Sequence, residues 1–289
     1  MLDMHEQDAI AGQPQVKFLV HHPCPPLSQV VDSCWYYESA LPLHAKEYHL
    51  PSGAMQLLIS LHEDHIRVYD KHHHHEYERL RPLALCGMYT EPCVIDTFAQ
   101  TAMMGVCFKP DGALPFLGLP ASELLNLHIS LEDIWGSEAR RLYDHLMAAP
   151  TPAAKFRILE HALLARFVRA KPRDTAITYA VQAFCQASHI PSMLAFSESL
   201  GLSHKHFIHL FKRQVGLSPK VYVRLQRFQH ALRSLTTHDV MSWSAIALEA
   251  GYFDQAHFIH DFRSFAGVTP MTYAEHRTAG RNHVKVPDG

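Results

Sequence analysis

A run of four histidines, His72 to His75, is the part of the sequence that most resembles a metal-binding tract. Neutral imidazoles bind zinc, and short His-rich tracts are a compositional signal of metal binding. The run follows the alternating segment 65–69, which predicts a position at the tip of a hairpin. Neighbouring side chains on a strand point to opposite faces, so four consecutive imidazoles rarely share one ion. We therefore predict a solvated hairpin tip and assign no metal ligands.

Three acidic residues have the chemistry of general acids or bases. Glu91, Asp96 and Asp111 each lie beside turn-forming residues, and we interpret them as solvated loop charges. The sequence contains no Gly-rich phosphate-binding motif, no GxSxG nucleophile motif and no HExxH zinc motif. The prediction is that the chain is not an enzyme and uses no cofactor.

Residues suited to nucleic-acid recognition occur in two nearly identical segments, 205–222 and 256–273. Each copy has two Phe four residues apart, a spacing that places both on one face of a helix. The opposite face then carries side chains that can contact phosphates and base edges. The predicted DNA-contacting residues are His204, Lys205, Ile208, His209, Lys212, Arg213, Gln255, Ala256, Ile259, His260 and Arg263.

Turn and capping residues divide each repeat into two helices. Gly201 and Gly251 can form tight turns, and Ser203 is a candidate N-cap of the second helix in the first copy. A Ser-Pro pair at 218–219 and a Thr-Pro pair at 269–270 predict the start of the next helix in each copy. A helix, a tight turn and a second helix that enters the major groove make up the helix-turn-helix motif. One such unit is compatible with ordinary packing, whereas two matched units favour DNA binding.

Residues 174–280 resemble the DNA-binding domain of AraC/XylS-type bacterial transcription regulators. The resemblance is carried by "LGLSHKHFIHLFKRQVGLSPKVYVRLQRFQHALRSL" and "IALEAGYFDQAHFIHDFRSFAGVTPMTY". It implies two helix-turn-helix units, joined by a connecting helix, that enter successive major grooves on one face of the DNA. His209 and His260 stand where this family usually has Arg, and Asp261 stands where it usually has a small or positive residue. A neutral imidazole lacks the fixed charge and the two-point guanine contact that Arg provides.

The first half of the chain is β-rich, because short apolar or alternating runs are separated by turn residues. Two amphipathic helices follow, and "AKPRD" at 170–174 marks a domain boundary. The predicted fold class is α+β: an N-terminal β-rich barrel or sandwich, the two helices, and an all-α domain of two helix-turn-helix units joined by a long helix. The predicted division is 1–172 for the β-rich domain, 173–283 for the DNA-binding domain, with units at about 192–216 and 243–267, and 284–289 for a tail.

The β-rich domain is predicted to sense a small-molecule effector. "LPSGAMQLLISL", "GVCFKPDGALPFLGLPASEL" and "LEDIWG" resemble the sensor domain of one branch of such regulators. Aromatic and apolar strand residues are the candidates for effector binding: Trp35, Tyr37, Met55, Leu57, Cys107 and Phe108. Two alternatives remain open, a pure dimerisation or protein-interaction module and a cupin-type enzyme domain fused to a DNA reader.

Composition and charge agree with an intracellular DNA-binding protein. The formal net charge of −2 divides into −5 for residues 1–173 and +3 for residues 174–283, with 284–289 neutral. No apolar run approaches the roughly 18 residues of a membrane helix, and the N-terminus lacks a signal-peptide core. The six Cys form no CxxC motif and are expected to be reduced thiols. The expected location is the cytoplasm. The expected partners are double-stranded DNA, a small-molecule effector, a second copy of the chain in a homodimer and, for an activator, RNA polymerase.

Overall fold

The computed structural model describes residues 16–39, 46–69, 73, 75–96, 101–186, 192–237, 242–278 and 280–286. Two antiparallel sheets form an N-terminal sandwich, and helices make up most of the remaining described chain. This confirms the predicted α+β architecture and shows that the β-rich part is a sandwich of two sheets.

The strands of the described residues are distributed over both sheets of the sandwich. Their bounds are Val16–His21 (β1), Val31–Ser39 (β2), Lys46–His49 (β3), Gln56–Ser60 (β4), Ile66–Tyr69 (β5), Tyr77–Leu80 (β6), Leu83–Cys86 (β7), Cys93–Asp96 (β8), Ala102–Phe108 (β9), His128–Ser130 (β10) and His283–Lys285 (β11). The larger sheet has the order β1-β2-β9-β4-β7-β10, and the smaller sheet has the order β11-β3-β8-β5-β6.

The helices pack on the larger sheet and then form the C-terminal half. Their bounds are Leu114–Leu117 (α1), Leu131–Trp135 (α2), Ser137–Ala148 (α3), Pro152–Phe167 (α4), Thr175–Gln186 (α5), Met193–Ser199 (α6), His204–Val215 (α7), Pro219–Thr237 (α8), Trp243–Glu249 (α9), Gln255–Ala266 (α10) and Pro270–His276 (α11). Short 3-10 helices cover Leu27–Gln29 and Ala121–Leu124. None of these helices is long and apolar enough to cross a membrane.

Helix α4 is held against the sandwich by one apolar stripe. Phe156, Leu159 and Leu163 recur at three- and four-residue intervals and are buried. Thr151 caps the helix by accepting a hydrogen bond from the Ala154 amide at 3.2 Å. This stripe is the face that α4 turns toward the core, as expected for one of the two amphipathic helices that the sequence predicts.

The long helix α8 joins two aromatic cores that repeat each other. Near its start, Tyr222 packs on Phe211 of α7 with ring centroids 5.6 Å apart. Six residues later, Phe228 packs on Phe262 of α10 at 5.2 Å. Each core includes two Phe of the repeat, and Tyr273 of α11 occupies in the second core the place of Tyr222 in the first. The repeat in the sequence is thus a repeat of core contacts.

The C-terminal segment returns to the sandwich and adds a strand to it. Strand β11 pairs antiparallel with β3, and Val284 lies opposite Tyr48 with no exposed surface. The Leu50 amide donates to the carbonyl of Asn282 at 2.7 Å, and His283 Nδ1 lies 2.7 Å from a carboxylate oxygen of Glu47. Residues 284 and 285, which the sequence analysis places in a separate tail, are therefore part of the smaller sheet. Tail residues 287–289 lie outside the described residues.

Two carboxylates interpreted as solvated loop charges are in fact buried. Asp96 accepts a hydrogen bond from the Tyr69 hydroxyl at 2.6 Å and from Arg67 at 3.3 Å. Asp111 is 4% exposed and is bound by side chains from the helical half. The interpretation was wrong because Asp96 is the last residue of strand β8, and because turn residues beside Asp111 do not report what packs over that loop. All six Cys are free thiols.

Candidate nucleic-acid interface

The first helix-turn-helix unit consists of α6, a tight turn and α7. Ser192 and Ser203 cap the two helices through their hydroxyls, which accept hydrogen bonds from the amides three residues on, at 3.3 and 3.4 Å. Gly201 forms the turn with φ +70°, and Gly216 ends α7 with φ +97°. Only glycine adopts these left-handed conformations without strain. The turn and caps match the signals read from the sequence.

The second unit repeats this construction with α9 and α10. Ser242 caps α9, and the Asp254 carboxylate caps α10 by accepting a hydrogen bond from the His257 amide at 2.7 Å. A carboxylate at this position also interacts favourably with the positive end of the helix dipole. Gly267 then ends α10 in the left-handed conformation, at φ +72°. Both second helices therefore have the same length and the same type of start and end.

The apolar faces of α7 and α10 are the faces turned inward. Phe207 and Phe211 of α7, and Phe258 and Phe262 of α10, have no exposed surface. Phe184 of α5 closes the first core, 5.8 Å from Phe211 between ring centroids. The helices are thus fixed by packing, and their opposite faces point away from the protein.

Most of the predicted DNA-contacting residues lie on these outward faces, whereas Ile259 packs against the core. Those that are exposed are Lys205, His209, Lys212, Arg213, Gln255, Ala256, His260 and Arg263. Those that are partly buried are His204, Ile208 and Ile259. The structure thus brings the predicted set together on two helices, while their contact with DNA stays a prediction.

Charge on the outward face of α7 is positive without a matching acid. Lys205, Lys212 and Arg213 are exposed along this helix, and α7 itself contains no Asp or Glu. His206, exposed beside them, is a further candidate contact that the sequence analysis did not select. It lies one residue before Phe207, so its helical position alone would have placed it at the edge of the outward face. A face of this kind suits the phosphates of a nucleic acid.

Asp261 does not belong to the outward face of α10. Its carboxylate is buried and accepts two hydrogen bonds from Arg224 of α8, from Nη2 at 2.6 Å and from Nε at 3.2 Å. The hydrogen bonds to Asp261 raise the pKa of the Arg224 guanidinium. Asp261 differs from the small or positive residue that is usual in AraC/XylS-type regulators. It forms an internal ion pair between the connecting helix α8 and α10, the second helix of the second unit. Its spacing, three residues after Phe258 and four before Phe265, was a signal of inward orientation, because both Phe are buried.

The helical half is attached to the sandwich at the end of α7. Asp111 Oδ2 accepts hydrogen bonds from Arg173 Nη1 at 2.6 Å, Thr178 Oγ1 at 2.7 Å and Gln214 Nε2 at 3.3 Å. Gln214 belongs to α7 and also accepts a hydrogen bond from the Asp174 amide at 2.8 Å. Further along, Gln229 of α8 donates to the Pro51 carbonyl at 2.6 Å. These hydrogen bonds therefore fix the orientation of α7, the second helix of the first unit, relative to the sandwich.

The six effector candidates do not line one common cavity. Trp35 packs in a small cluster with Ile66 and Met103, between the two sheets. Tyr37 lies two residues after Trp35 on β2 and therefore on the same face of the sheet. Cys107 is also on this face, because it lies two residues after Gly105, which pairs with Trp35 on the neighbouring strand. Leu57 and Phe108 belong instead to the large core on the helix side of the larger sheet. The sixth candidate, Met55, is also in that core, near Gly216 at the end of α7.

The space between the sheets is filled closely at the position of Trp35. A methyl group added to Gly105 would lie 2.4 Å from the Trp35 ring. Glycine is needed there because the indole lies against the backbone of the neighbouring strand. An opening of about 610 Å³ lies between α3 and α4, and Trp135, Arg157 and His161 are among its lining residues. This opening contains none of the six effector candidates.

The histidine run is only partly within the described residues. His73 and His75 have ring centroids 6.2 Å apart, and the His75 imidazole is 80% exposed. His72 and His74 lie outside the described part. Among the residues that the structure describes, no group of three or more His, Cys, Asp or Glu is arranged to hold a metal ion.

Comparisons with known proteins separate the chain into the same two parts. A helix-turn-helix domain family matches residues 196–276, and a domain family of unknown function (DUF6597) matches residues 19–130. An uncharacterized HTH-type transcriptional regulator of Haemophilus influenzae is 34% identical over 77 residues, which cover 27% of this chain and 26% of the relative. The HTH-type transcriptional regulator ExsA of Pseudomonas aeruginosa is 35% identical over 75 residues, which cover 26% and 27%. The chain thus spans about a quarter of the length of these curated relatives.

One solved structure matches most of the length of this chain. ToxT of Vibrio cholerae, crystallised with a bound unsaturated fatty acid, is 10% identical to this chain, with a TM-score of 0.46. The match covers 89% of this chain and 94% of ToxT.

Proposed function

Since residues 196–276 form a helix-turn-helix domain of the AraC/XylS type, we propose that this chain is a sequence-specific DNA-binding transcription regulator. The observation that supports the proposal most is that α7 and α10 arrange their side chains in the same way. Both helices turn two Phe into a closed aromatic core and expose basic and imidazole side chains on the opposite face. The proposed protein is a regulator and not an enzyme, and it acts in the cytoplasm.

Recognition would divide between charged and base-reading side chains. Lys205, Lys212 and Arg213 supply positive charge for phosphates, which sets affinity and orientation but carries little sequence information. Gln255 and Arg263 can form hydrogen bonds with base edges in the major groove. The two helices together would cover two successive grooves on one face of the duplex.

The N-terminal sandwich is proposed to control how the reading helices are presented. The hydrogen bonds of Asp111 to Arg173 and Gln214 support this, because they connect the sandwich to the end of α7. A small-molecule effector that shifts the sandwich would then change the geometry of the first unit. A dimerisation or protein-interaction role, and a cupin-type enzyme domain, are the competing functions. Metal analysis and a thermal-shift ligand screen on the full-length chain distinguish them.

Further partners follow from the proposed role. An activator of transcription would contact RNA polymerase, and a homodimer would bind paired operator sites. Both are proposals that rest on the assignment as a regulator.

The test of DNA binding uses the full-length chain and a random DNA library. We expect a sequence motif to be enriched, and the affinity for that motif to fall with salt because phosphate contacts release counterions. Lys212→Ala and Arg263→Ala should each weaken binding without unfolding the protein. Lys171→Ala, an exposed lysine outside both units, is the matched control and should bind normally.

A stability measurement completes this test. Phe211→Ala and Phe262→Ala should lower the free energy of unfolding by about 3–5 kcal/mol, because both rings are fully buried. If no DNA is enriched even at low salt, or if the Lys and Arg variants bind like the parent while the Phe variants stay fully stable, the assigned function and helix faces are wrong.

A further inference from the structure

The turns of the two helix-turn-helix units differ by one residue. In the first unit, the Leu202 amide donates to the Ser197 carbonyl at 3.0 Å, and the N-cap Ser203 follows directly. In the second unit, the Tyr252 amide donates to the Ala247 carbonyl at 2.9 Å, which is the same contact. One additional residue, Phe253, then precedes the N-cap of α10.

The additional residue is the most exposed large apolar side chain of the described residues. Phe253 is 91% exposed, whereas its neighbour Tyr252 is 3% exposed. The Tyr252 ring packs on Phe258 with centroids 5.4 Å apart, and the following Asp254 is held by its cap to His257. The backbone on both sides of Phe253 is therefore held in place while its ring projects into solvent. Burial of the ring against a ligand would therefore gain hydrophobic stabilisation without any need to rearrange the backbone.

We propose that Phe253 is a base-reading residue that packs against the methyl group of a thymine in the major groove. This inference rests on the proposed DNA-binding function and specifies one contact of the second unit. Phe253 lies two residues before Gln255, the first residue of α10. In helix-turn-helix proteins the N-terminal residues of the second helix contact the base edges.

The chemistry of the groove selects thymine. Among the groups that base pairs present in the major groove, the thymine C5-methyl is the apolar one, and Phe is one of the side chains that contact it. Gln255 beside it accepts a hydrogen bond from Ser244 Oγ at 2.9 Å, which leaves its amide hydrogens available as donors. The second unit thus presents an apolar and a polar side chain two residues apart in the chain, next to the capped start of α10.

The experiment removes single methyl groups from the DNA. A preferred sequence is selected from a random library with the full-length protein, and each thymine in it is replaced in turn by deoxyuridine. We expect the parent to lose about fourfold in affinity at one thymine, the factor that corresponds to one buried methyl-sized group. Phe253→Ala should lose about the same factor on the unmodified DNA, and it should be insensitive to uracil at that one position.

Two controls separate this contact from other roles of Phe253. Leu248→Ala, on α9, changes another strongly exposed apolar residue of the same unit and should keep both the affinity and the uracil sensitivity. The salt dependence of Phe253→Ala should equal that of the parent, since a phenyl ring releases no counterions. Its thermal unfolding should also be unchanged, because the ring is exposed.

Several results would overturn the inference. Parental affinity of Phe253→Ala for the unmodified DNA is one such result, and parental sensitivity of this variant to every uracil is another. Altered transcription with unchanged DNA affinity would show that the ring contacts a protein instead. Enrichment of no DNA at all would reject the proposed function together with this contact, whereas enrichment with a silent Phe253→Ala rejects the contact alone.

Discussion

Arg224 in the connecting helix α8 forms a two-point ion pair with Asp261 in the second reading helix α10. Both carboxylate oxygens accept, at 2.6 and 3.2 Å, and the Asp261 side chain is 3% exposed. The Arg224 guanidinium also lies over the Phe265 ring, 5.4 Å from its centroid. The pair therefore orients α10 relative to α8 at the level of the second aromatic core.

Removal of Arg224 should destabilise the second unit. Arg224→Met leaves a buried carboxylate without its partner, and we expect a loss of about 3 kcal/mol in the free energy of unfolding. This value is at the lower end for such pairs because the Arg224 side chain is one-third exposed. Urea denaturation measures the loss. The double variant Arg224→Met with Asp261→Leu should recover much of it, since an apolar pair often replaces a buried ion pair well. A double variant as unstable as the single one would contradict this account.

Two histidines that stand where AraC/XylS-type regulators usually have Arg should make DNA binding depend on pH. His209 and His260 are exposed on the outward faces, and the His260 side chain is 82% exposed. Imidazoles generally change charge between pH 5 and 8, and phosphates favour the charged form. DNA affinity should therefore rise as the pH falls from 8 to 6.

The double variant His209→Arg with His260→Arg tests this assignment. It should bind more tightly than the parent at pH 8 and show a smaller increase toward pH 6, because Arg is charged at both values. Binding curves for both proteins at the two pH values give the comparison. Equal pH slopes would mean that other histidines, ten of which lie between residues 174 and 283, cause the dependence.

Loss of the Asp111 carboxylate should weaken the connection between the sandwich and the helical half. Asp111→Ala leaves Arg173, whose side chain is 15% exposed, without its anionic partner. It also removes one acceptor of the Gln214 amide. We expect a loss of about 3 kcal/mol and, in calorimetry, the division of one unfolding transition into two. Asp133→Ala, an exposed carboxylate on α2, should change neither quantity. A single, unshifted transition for Asp111→Ala would show that other contacts hold the two parts together.

Two histidines of the sandwich should make its stability fall in acid. Burial lowers the pKa of His128 to about 4, and burial, followed by the charges of neighbouring histidines, lowers that of His49 to about 3. Both are neutral in the folded protein, whereas in the unfolded chain each binds a proton below about pH 6.5. The unfolded state then holds more protons, so stability falls as the pH decreases from about 6.5 toward about 4.

The expected slope is about 1.4 kcal/mol per pH unit for each histidine within this window. His128→Gln should remove about half of it, since Gln stays neutral and can still bond to the Tyr89 hydroxyl that contacts His128. Urea unfolding at pH 5 and pH 7 measures the slopes. His161→Gln, an exposed histidine of α4, is the control and should leave the slope as it is. If both variants behave alike, His128 is not a source of the acid sensitivity.

Local chemistry explains why so much of the helical half was predictable. Ser203 caps the helix that begins at the next residue, Gly216 ends it, and the Phe pair of each copy needs only the helical period to face one side. These features act over three or four residues, so neighbours in the chain are sufficient to specify them. The repeat then indicated that both copies use the same packing.

Long-range pairing is what only the tertiary structure decided. Asp111 meets Gln214 across 103 residues, Glu47 meets His283 across 236, and Asp261 meets Arg224 on another helix. The split of the effector candidates over two faces likewise depends on strand register and on which layer packs on each face. The type of a residue determines what its side chain can bind. The sequence pattern over a few residues determines on which side of its helix or strand that side chain lies. Which partner reaches it depends on how sheets and helices pack, and that information is distributed over the whole chain.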